Sequence, residues 1–294
     1  MSFSITNNVA SLNARNNLSR SNTALSKSVE RLSSGLKINR GADGPASLVI
    51  SEKQRAQISG LRQAIDNSDK AVSLVQTAEG ALGEINSLLV KVRSLALDSA
   101  NAGYNDDDAL AANQAEIANA LETIDRIANN TQFGQKKILD GSAGVTGTVN
   151  AVSNALVFQI GANQNQTASV ALQAVDSSGL GVGVSGNQFS SLADIDVSTA
   201  GKAQDTLGVI DAAIDNITTM RGDLGAFQQN TLTSTANNLR TTLENTINAE
   251  SIIRDTNFAE EISNFTNNQV LVQAGTSVLG NANQLSQGIL SLLQ

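Results

Sequence analysis

Apolar residues along this chain recur at steps of three and four over long distances, the mark of helices that bury one face. Over residues 5–36, Leu18, Leu25, Val29, Leu32 and Leu36 form such a stripe, with one gap at Asn22. Gly35 and the GADGP run at 41–45 break it. Residues 47–57 read as a short helix or an irregular connector. A long helix is expected from about 57 to 101, striped by Ile58, Leu61, Ile65, Val72, Val75 and Leu82, after which the phase slips to Ile85, Leu88, Val92 and Leu95. NAGYNDDD at 101–108 is a turn, and Asp106, Asp107 and Asp108 suit the N-terminus of the helix that follows. That helix spans about 107–129, with Leu110, Ile117, Leu121, Ile124 and Ala128 on one face.

The pattern changes between Thr131 and Gly201. Glycines recur, no Lys or Arg occurs between Lys137 and Lys202, and ALVFQIGANQNQTASVAL (155–172) sets two β-prone runs around a turn. This predicts the single β island of the chain. Helical spacing resumes near Ala203 through Leu207, Ile210, Ile214, Ile217 and Leu224, with Arg221 at the skipped position, and continues through Leu232, Ala236, Leu239, Leu243 and Ile247. A last helix, about 258–293, carries Leu271, Val278, Ala282, Leu285, Ile289 and Leu292, with Gly275 in one slot. The plan is mirrored: helix, long helix, helix, β-containing middle, long helix, helix. Each stripe is narrow and poor in large side chains, so no helix stands alone and helices must pack lengthwise. The expected fold is mainly α: an elongated antiparallel helical bundle or coiled coil built from both chain ends, with a small β-hairpin region in the middle.

Composition narrows the function. Of 294 residues only 3% are aromatic, Pro45 is the sole proline, and Cys and His are absent. Disulfides, Cys or His zinc sites, cysteine nucleophiles and histidine-based triads are thereby excluded. The net charge of −8 is uneven: residues 1–140 carry 15 basic against 15 acidic side chains, and 141–294 carry 4 against 12. Residues 1–40 are basic apart from Glu30, and residues 255–294 hold three acids and no base, which predicts that the two ends meet. Neither nucleic acid nor an inserted membrane segment is an expected partner, and MSFSITNNVA has no cleaved-signal pattern. GADG (41–44) and GLGVG (179–183) lack the Gly-Lys-Ser/Thr of a phosphate loop and read as turns. Asp106–Asp107–Asp108 and Asp194/Asp196 do not fit a calcium loop. No catalytic, cofactor-binding or metal residue is assigned, and no cofactor is expected.

The chain ends carry long, specific motifs. ITNNVASLNARNNL (5–18), RLSSGLKIN (31–39) and DGPASLVISE (43–52) resemble the N-terminal region of bacterial flagellin, as do AEGALGEINSLLVKVRSLALDSAN (78–101), TIDRIANNTQFG (123–134) and KKILDG (136–141). ISNFTNNQVLVQAGTSVLGNANQLSQGILSLLQ (262–294) resembles the flagellin C-terminus, with Ser286 where proline is usual and Gly280 where alanine is common. The resemblance covers about 1–175 and 200–294.

It implies a structural, non-enzymatic subunit that polymerises through paired terminal helices into the filament used for swimming. Residues 1–40 with 255–294 are expected to form an inner terminal-helix domain, and 45–175 with 180–250 a helical-bundle domain. About 176–200 would be a reduced outer loop region. Leu18, Leu25, Val29, Leu32, Leu36, Leu271, Val278, Leu285, Ile289 and Leu292 are the residues expected to pack the terminal helices and the polymer. Implied partners are other copies of the chain, the flagellar export apparatus, a cytoplasmic chaperone at the C-terminus, and hook-junction and cap proteins. An animal innate immune receptor would read Lys91, Leu95, Asp98 and Glu116. The implied location is an extracellular filament, reached without a cleaved signal peptide. Two other readings share these ends: a hook–filament junction protein, and a secreted helical translocator or effector. The short middle and the 78–141 block speak against the first; polymerisation on seeds separates the second.

Overall fold

The computed structural model describes residues 8–141, 155–184 and 186–291, with side chains to 284. It is mainly helical. Helix α1 (Val9–Ser34) opens on Asn8, whose side chain accepts from Ser11 N at 2.9 Å, and closes at Gly35, whose left-handed backbone (φ 73°) returns its N–H to Arg31 O. Only glycine enters that region at no steric cost. Helix α2 (Pro45–Ser99) begins on the proline itself, which is well placed in a first turn. Residues 47–57 are therefore the start of α2 rather than a connector: no breaker separates Pro45 from the long apolar stripe. Helix α3 (Asp107–Asn130) is capped by Asp106, which accepts from Ala109 N at 2.8 Å.

Two short antiparallel pairs follow. Strands β1 (Gln132–Phe133) and β2 (Lys136–Lys137) flank Gly134 (φ 66°), and β3 (Ala155–Gln159) pairs with β4 (Thr167–Ala171) in the expected hairpin. The first pair was not expected. Its two-residue strands are too short for alternation to register, and the turn glycine is the only local signal. Helices α4 (Ala200–Ala226) and α5 (Ser234–Arg254) are joined by a π-helical turn, Phe227–Thr233. Helix α6 (Phe258–Ser291) ends the described chain. Of the ends of the predicted terminal helices, residues 5–7, 292 and 293 lie outside the described residues.

The chain divides into two compact units, 1–58 with 244–294 and 59–243. In the second, α2, α3 and α4 share one core. Buried positions on α2 run Val75, Ala78, Leu82, Ile85, Leu89, Val92 and Ala96 in unbroken steps of three and four. The expected phase slip after Leu82 does not occur, because alanines serve as seam residues; Leu88 and Leu95 pack at its flank. Ile117, Ala120 and Ile124 of α3 and Val209, Ile210, Ala213, Ile217 and Leu224 of α4 complete the core with Leu156 and Val170 of the hairpin. Residues 176–199 insert Leu180, Leu192, Ile195 and Val197 into it. Asp125 accepts from Ser177 N and Oγ at 2.7 and 2.9 Å, and Gln114 brackets the same loop by accepting from Val197 N at 2.7 Å and donating to Ile195 O. At Gly181 (φ 72°) an added Cβ would lie 2.6 Å from Val209 Cγ1, so the loop reaches α4 only because the side chain is absent.

Candidate assembly surfaces

In the first unit α1 and α6 pack antiparallel. Contacts pass from Asn8 Nδ2 donating to Ala282 O (2.9 Å) and Ser11 Oγ donating to Asn283 Oδ1 (2.8 Å), through Leu18 against Gly275, to Arg31 Nη1 with Glu261 Oε2 at 3.3 Å. The chain then closes with backbone bonds: Lys37 N to Arg254 O (2.7 Å) and Thr256 N to Gly35 O (2.9 Å). On α1 the inward positions are Ser11, Ala14, Leu18, Ser21, Leu25, Ser28 and Leu32, and on α6 they are Glu261, Phe265, Asn268, Val272, Gly275, Leu279 and Ala282. Both sets alternate steps of three and four, the coiled-coil seam. Leucines alternate with serine along most of the α1 set, and on α6 Phe265, Val272 and Leu279 alternate with Asn268, Gly275 and Ala282, so the backbones approach closely where Gly275 meets Leu18.

This seam differs from the apolar stripe read from sequence. Ser21 and Ser28, the latter 4% exposed, stand where a count of large apolar residues passes to Val29. Counting serine as a seam residue would have found them. Leu18, Leu25 and Leu32 lie in the seam, and Leu36 is half-buried and bridged to Asp255. Val29, Leu271 and Val278 face outward, with Leu271 54% and Val278 56% exposed. Leu285 and Ile289 lie on α6 with side chains outside the described part, and Leu292 is outside it altogether. Val9, Leu12, Ile262 and Val270 join the outward set.

Electrostatics plays a narrower part than the opposite-sign ends suggest. Arg31–Glu261 is the single ion pair across α1 and α6 among the described residues. Lys27 instead meets Asp43 at 2.7 Å, and Arg40 meets Glu30 at 2.9 Å. Lys27, then the Arg40 backbone, holds the Asp43 carboxyl below its usual range. Glu52 receives Arg254 at 2.9 Å and Arg55 at 3.1 Å, and these two hold its carboxyl down in that order. Glu261 is the seam residue that sequence reading passed over: its side chain is only 8% exposed. Its signal was present, as an acid at a seam position.

The second unit has its own exposed surfaces. Val90 and Leu97 on α2, and Tyr104 in the turn that follows it, are each more than half exposed. On α3, Leu110, Ala111, Ala115 and Ala118 with Ser198 line a shallow groove of about 550 Å³. Among the described residues no cluster of three acidic, His or Cys side chains could hold a metal ion, and no helix is long and apolar enough to cross a membrane.

Comparison with known proteins decides what these surfaces belong to. Residues 5–144 match the bacterial flagellin N-terminal helical region, and 207–293 the bacterial flagellin C-terminal helical region. A flagellin of Bacillus subtilis is 43% identical over 303 aligned residues, covering 99% of each chain. The chain belongs to the bacterial flagellin family. It is a flagellar filament subunit, a structural and non-enzymatic protein, and membership implies self-polymerisation. Flagellin FlaB2 of Treponema pallidum is 37% identical over 99% of each chain. The crystal structure of Bacillus cereus flagellin aligns at 24% identity over 59% of this chain and 88% of its own, with a TM-score of 0.45.

In this flagellin the four residues that the resemblance sets out as a receptor patch lie on α2 and α3. Lys91 Nζ meets Glu116 Oε1 at 2.6 Å, bridging the two helices. Leu95 is half-buried against the core. Asp98 is engaged: its carboxylate accepts from the Tyr104 hydroxyl and, at 2.9 Å, from Asn113 Nδ2. The Tyr104 hydroxyl, then Asn113, holds the Asp98 carboxyl below its usual range, and the same bond pushes the Tyr104 phenol up. Asn105 Nδ2 donates to the Asp98 carbonyl at 2.6 Å, so Asp98 organises the whole α2–α3 turn.

Proposed function

We propose that the outward faces of α1 and α6 are the contacts between subunits, and that both ends fold fully only on assembly. The observation that supports this is the array of exposed apolar side chains on one helix pair: Val9, Leu12, Val29, Ile262, Val270, Leu271 and Val278. Isolated side chains of this kind are ordinary on a surface, but a repeated set along paired helices calls for a partner. Helix α6 also carries Gly275, Gly280 and Gly288, each costing a helix interior about 1 kcal/mol relative to alanine. Neighbouring copies offset that cost by burying the outer stripe. Hydrogen exchange on free subunit and filament tests the reading: amides of 270–290 exchange freely in the subunit and are protected in the filament. Strong protection in a verified monomer sinks the coupling.

The same exposed C-terminal stripe suits a cytoplasmic chaperone, and a loosely folded end suits passage through the flagellar export apparatus. Hook-junction and cap proteins would meet the same helix pair at the ends of an extracellular filament. The exposed Val90 and Leu97 of α2 and the groove on α3 offer further contacts between copies.

An animal innate immune receptor is a further partner, reading Lys91, Leu95, Asp98 and Glu116. Lys91 is held by Glu116, and Asp98 spends its carboxylate on Tyr104 and Asn113. The family resemblance implies arginine where Lys91 stands and glutamine where Asp98 stands in many strongly recognised members; lysine lacks the planar fork of arginine, and a carboxylate lacks the donor of an amide. Recognition is therefore weakened but present. In a receptor reporter assay the Lys91→Arg/Asp98→Gln double variant is expected to be more potent than the parent; equal potency contradicts this.

A further inference from the structure

We propose that the π turn at Phe227–Thr233 is a one-residue register insertion, which keeps both halves of a continuous helical run facing the same core. Before the turn, buried Ala203, Thr206, Val209, Ile210, Ala213, Ile217, Met220 and Leu224 define one line down α4. Two more α-helical turns from Leu224 would bring position 231 to the core. The side chain buried there is instead Leu232, fully enclosed, while Thr231 is only half-buried. Ala236, 3% exposed, then continues the line, with Leu239 and Leu243 half-buried along it.

At about 100° per residue, an unbroken α-helix would carry position 232 roughly 80° away from the Leu224 line. A π turn closes its hydrogen bonds one residue later and so absorbs one extra residue in the same rotation. Ion pairs to α2 bracket the turn: Arg221 Nη2 lies 3.9 Å from Glu79 before it, and Arg240 reaches both Asp69 oxygens at 3.0 and 3.1 Å after it. The run thus stays on the same partner helix on both sides of the insertion. Phe227 opens the turn against Phe158 of the hairpin, with ring centroids 6.2 Å apart. Gln229 and Asn230 at its outer side are exposed. It follows that the length of this segment, and not the identity of its outer residues, carries the role.

The experiment compares the melting of three full-length variants, followed by helical circular dichroism. Deletion of Gln229 removes the surplus residue, returns the run to α-helix and leaves Leu232 and Ala236 in phase. It is expected to melt at or above the parent temperature, and Gln229→Ala within a degree or so of it. Deletion of Thr218, an exposed residue inside α4, rotates Met220 and Leu224 off the core and should lower the melting temperature by about 5–10 °C. The proposal is overturned if deleting Gln229 costs more than half of what deleting Thr218 costs. A Gln229 deletion that fails to fold while Gln229→Ala folds overturns it as well.

Discussion

Arg31→Leu is expected to stop filament assembly, and Arg31→Leu combined with Glu261→Leu to restore much of it. Glu261 sits in the α1–α6 seam with its side chain 8% exposed, and Arg31 is its charged partner at 3.3 Å. Breaking a buried pair from one side leaves a carboxylate in a site built for two charges, at a cost of about 3–5 kcal/mol in measured cases. The position of Glu261 in the first turn of α6 offsets part of that, since a helix N-terminus favours an anion. Replacing both partners with apolar residues of similar size removes the desolvation cost instead, and such changes are often neutral or stabilising. Sedimentation of filaments grown from seeds reads the result. If the double variant assembles no better than the single one, the pair does more than fill its own site, and an account resting on the buried charge fails.

Gly275→Leu should separate α1 from α6, whereas Gly280→Ala should strengthen α6. A Cβ built at Gly275 already lies 3.2 Å from Leu18 Cδ1 and 3.9 Å from Leu18 Cα. A full leucine side chain there meets the opposing helix itself. Overpacking of that kind costs about 1–3 kcal/mol where neighbours can shift. On α1 the seam residues either side of Leu18, Ala14 and Ser21, are small, so that helix has little other apolar contact near this point to hold it while it adjusts. At Gly280 nothing lies within 4 Å of an added Cβ. Alanine there gains about 1 kcal/mol of helix propensity without touching α1. Amide protection of 270–290 in the free subunit should therefore fall or stay absent in the first variant and rise in the second. A rise in both would mean that propensity alone governs this helix and that close approach at Gly275 is unimportant.

The residues of the α1–α6 seam were only partly legible before folding. A count of large apolar side chains finds Leu18, Leu25 and Leu32 but passes over Ser21 and Ser28, because serine at a close helix seam is buried for its size and not for its hydropathy. The same blindness misplaced the phase of α2, where Ala78 and Ala96 are core and Leu88 and Leu95 are flank. The opposite charges of the two ends pointed correctly to their meeting, yet among the described residues one ion pair crosses between α1 and α6, while Lys27 and Arg40 meet Asp43 and Glu30 close by in the chain.

By itself the sequence determined what is local or periodic. Uninterrupted three-and-four spacing with a single proline committed the chain to long helices. Gly35, Asp106 and the 155–172 hairpin marked their own turns, and the long terminal motifs marked the family. Tertiary structure alone decided which face of each helix is seam and which is surface, since a stripe that is narrow and rich in small residues can be read at two phases. It also decided that Val29, Leu271 and Val278 point away from the α1–α6 pair, that Asp98 is spent on Tyr104 and Asn113, and that the run from Ala200 to Arg254 needs a π turn. Those outcomes depend on what lies opposite each residue across the fold, and a single helix period carries no information about its partner.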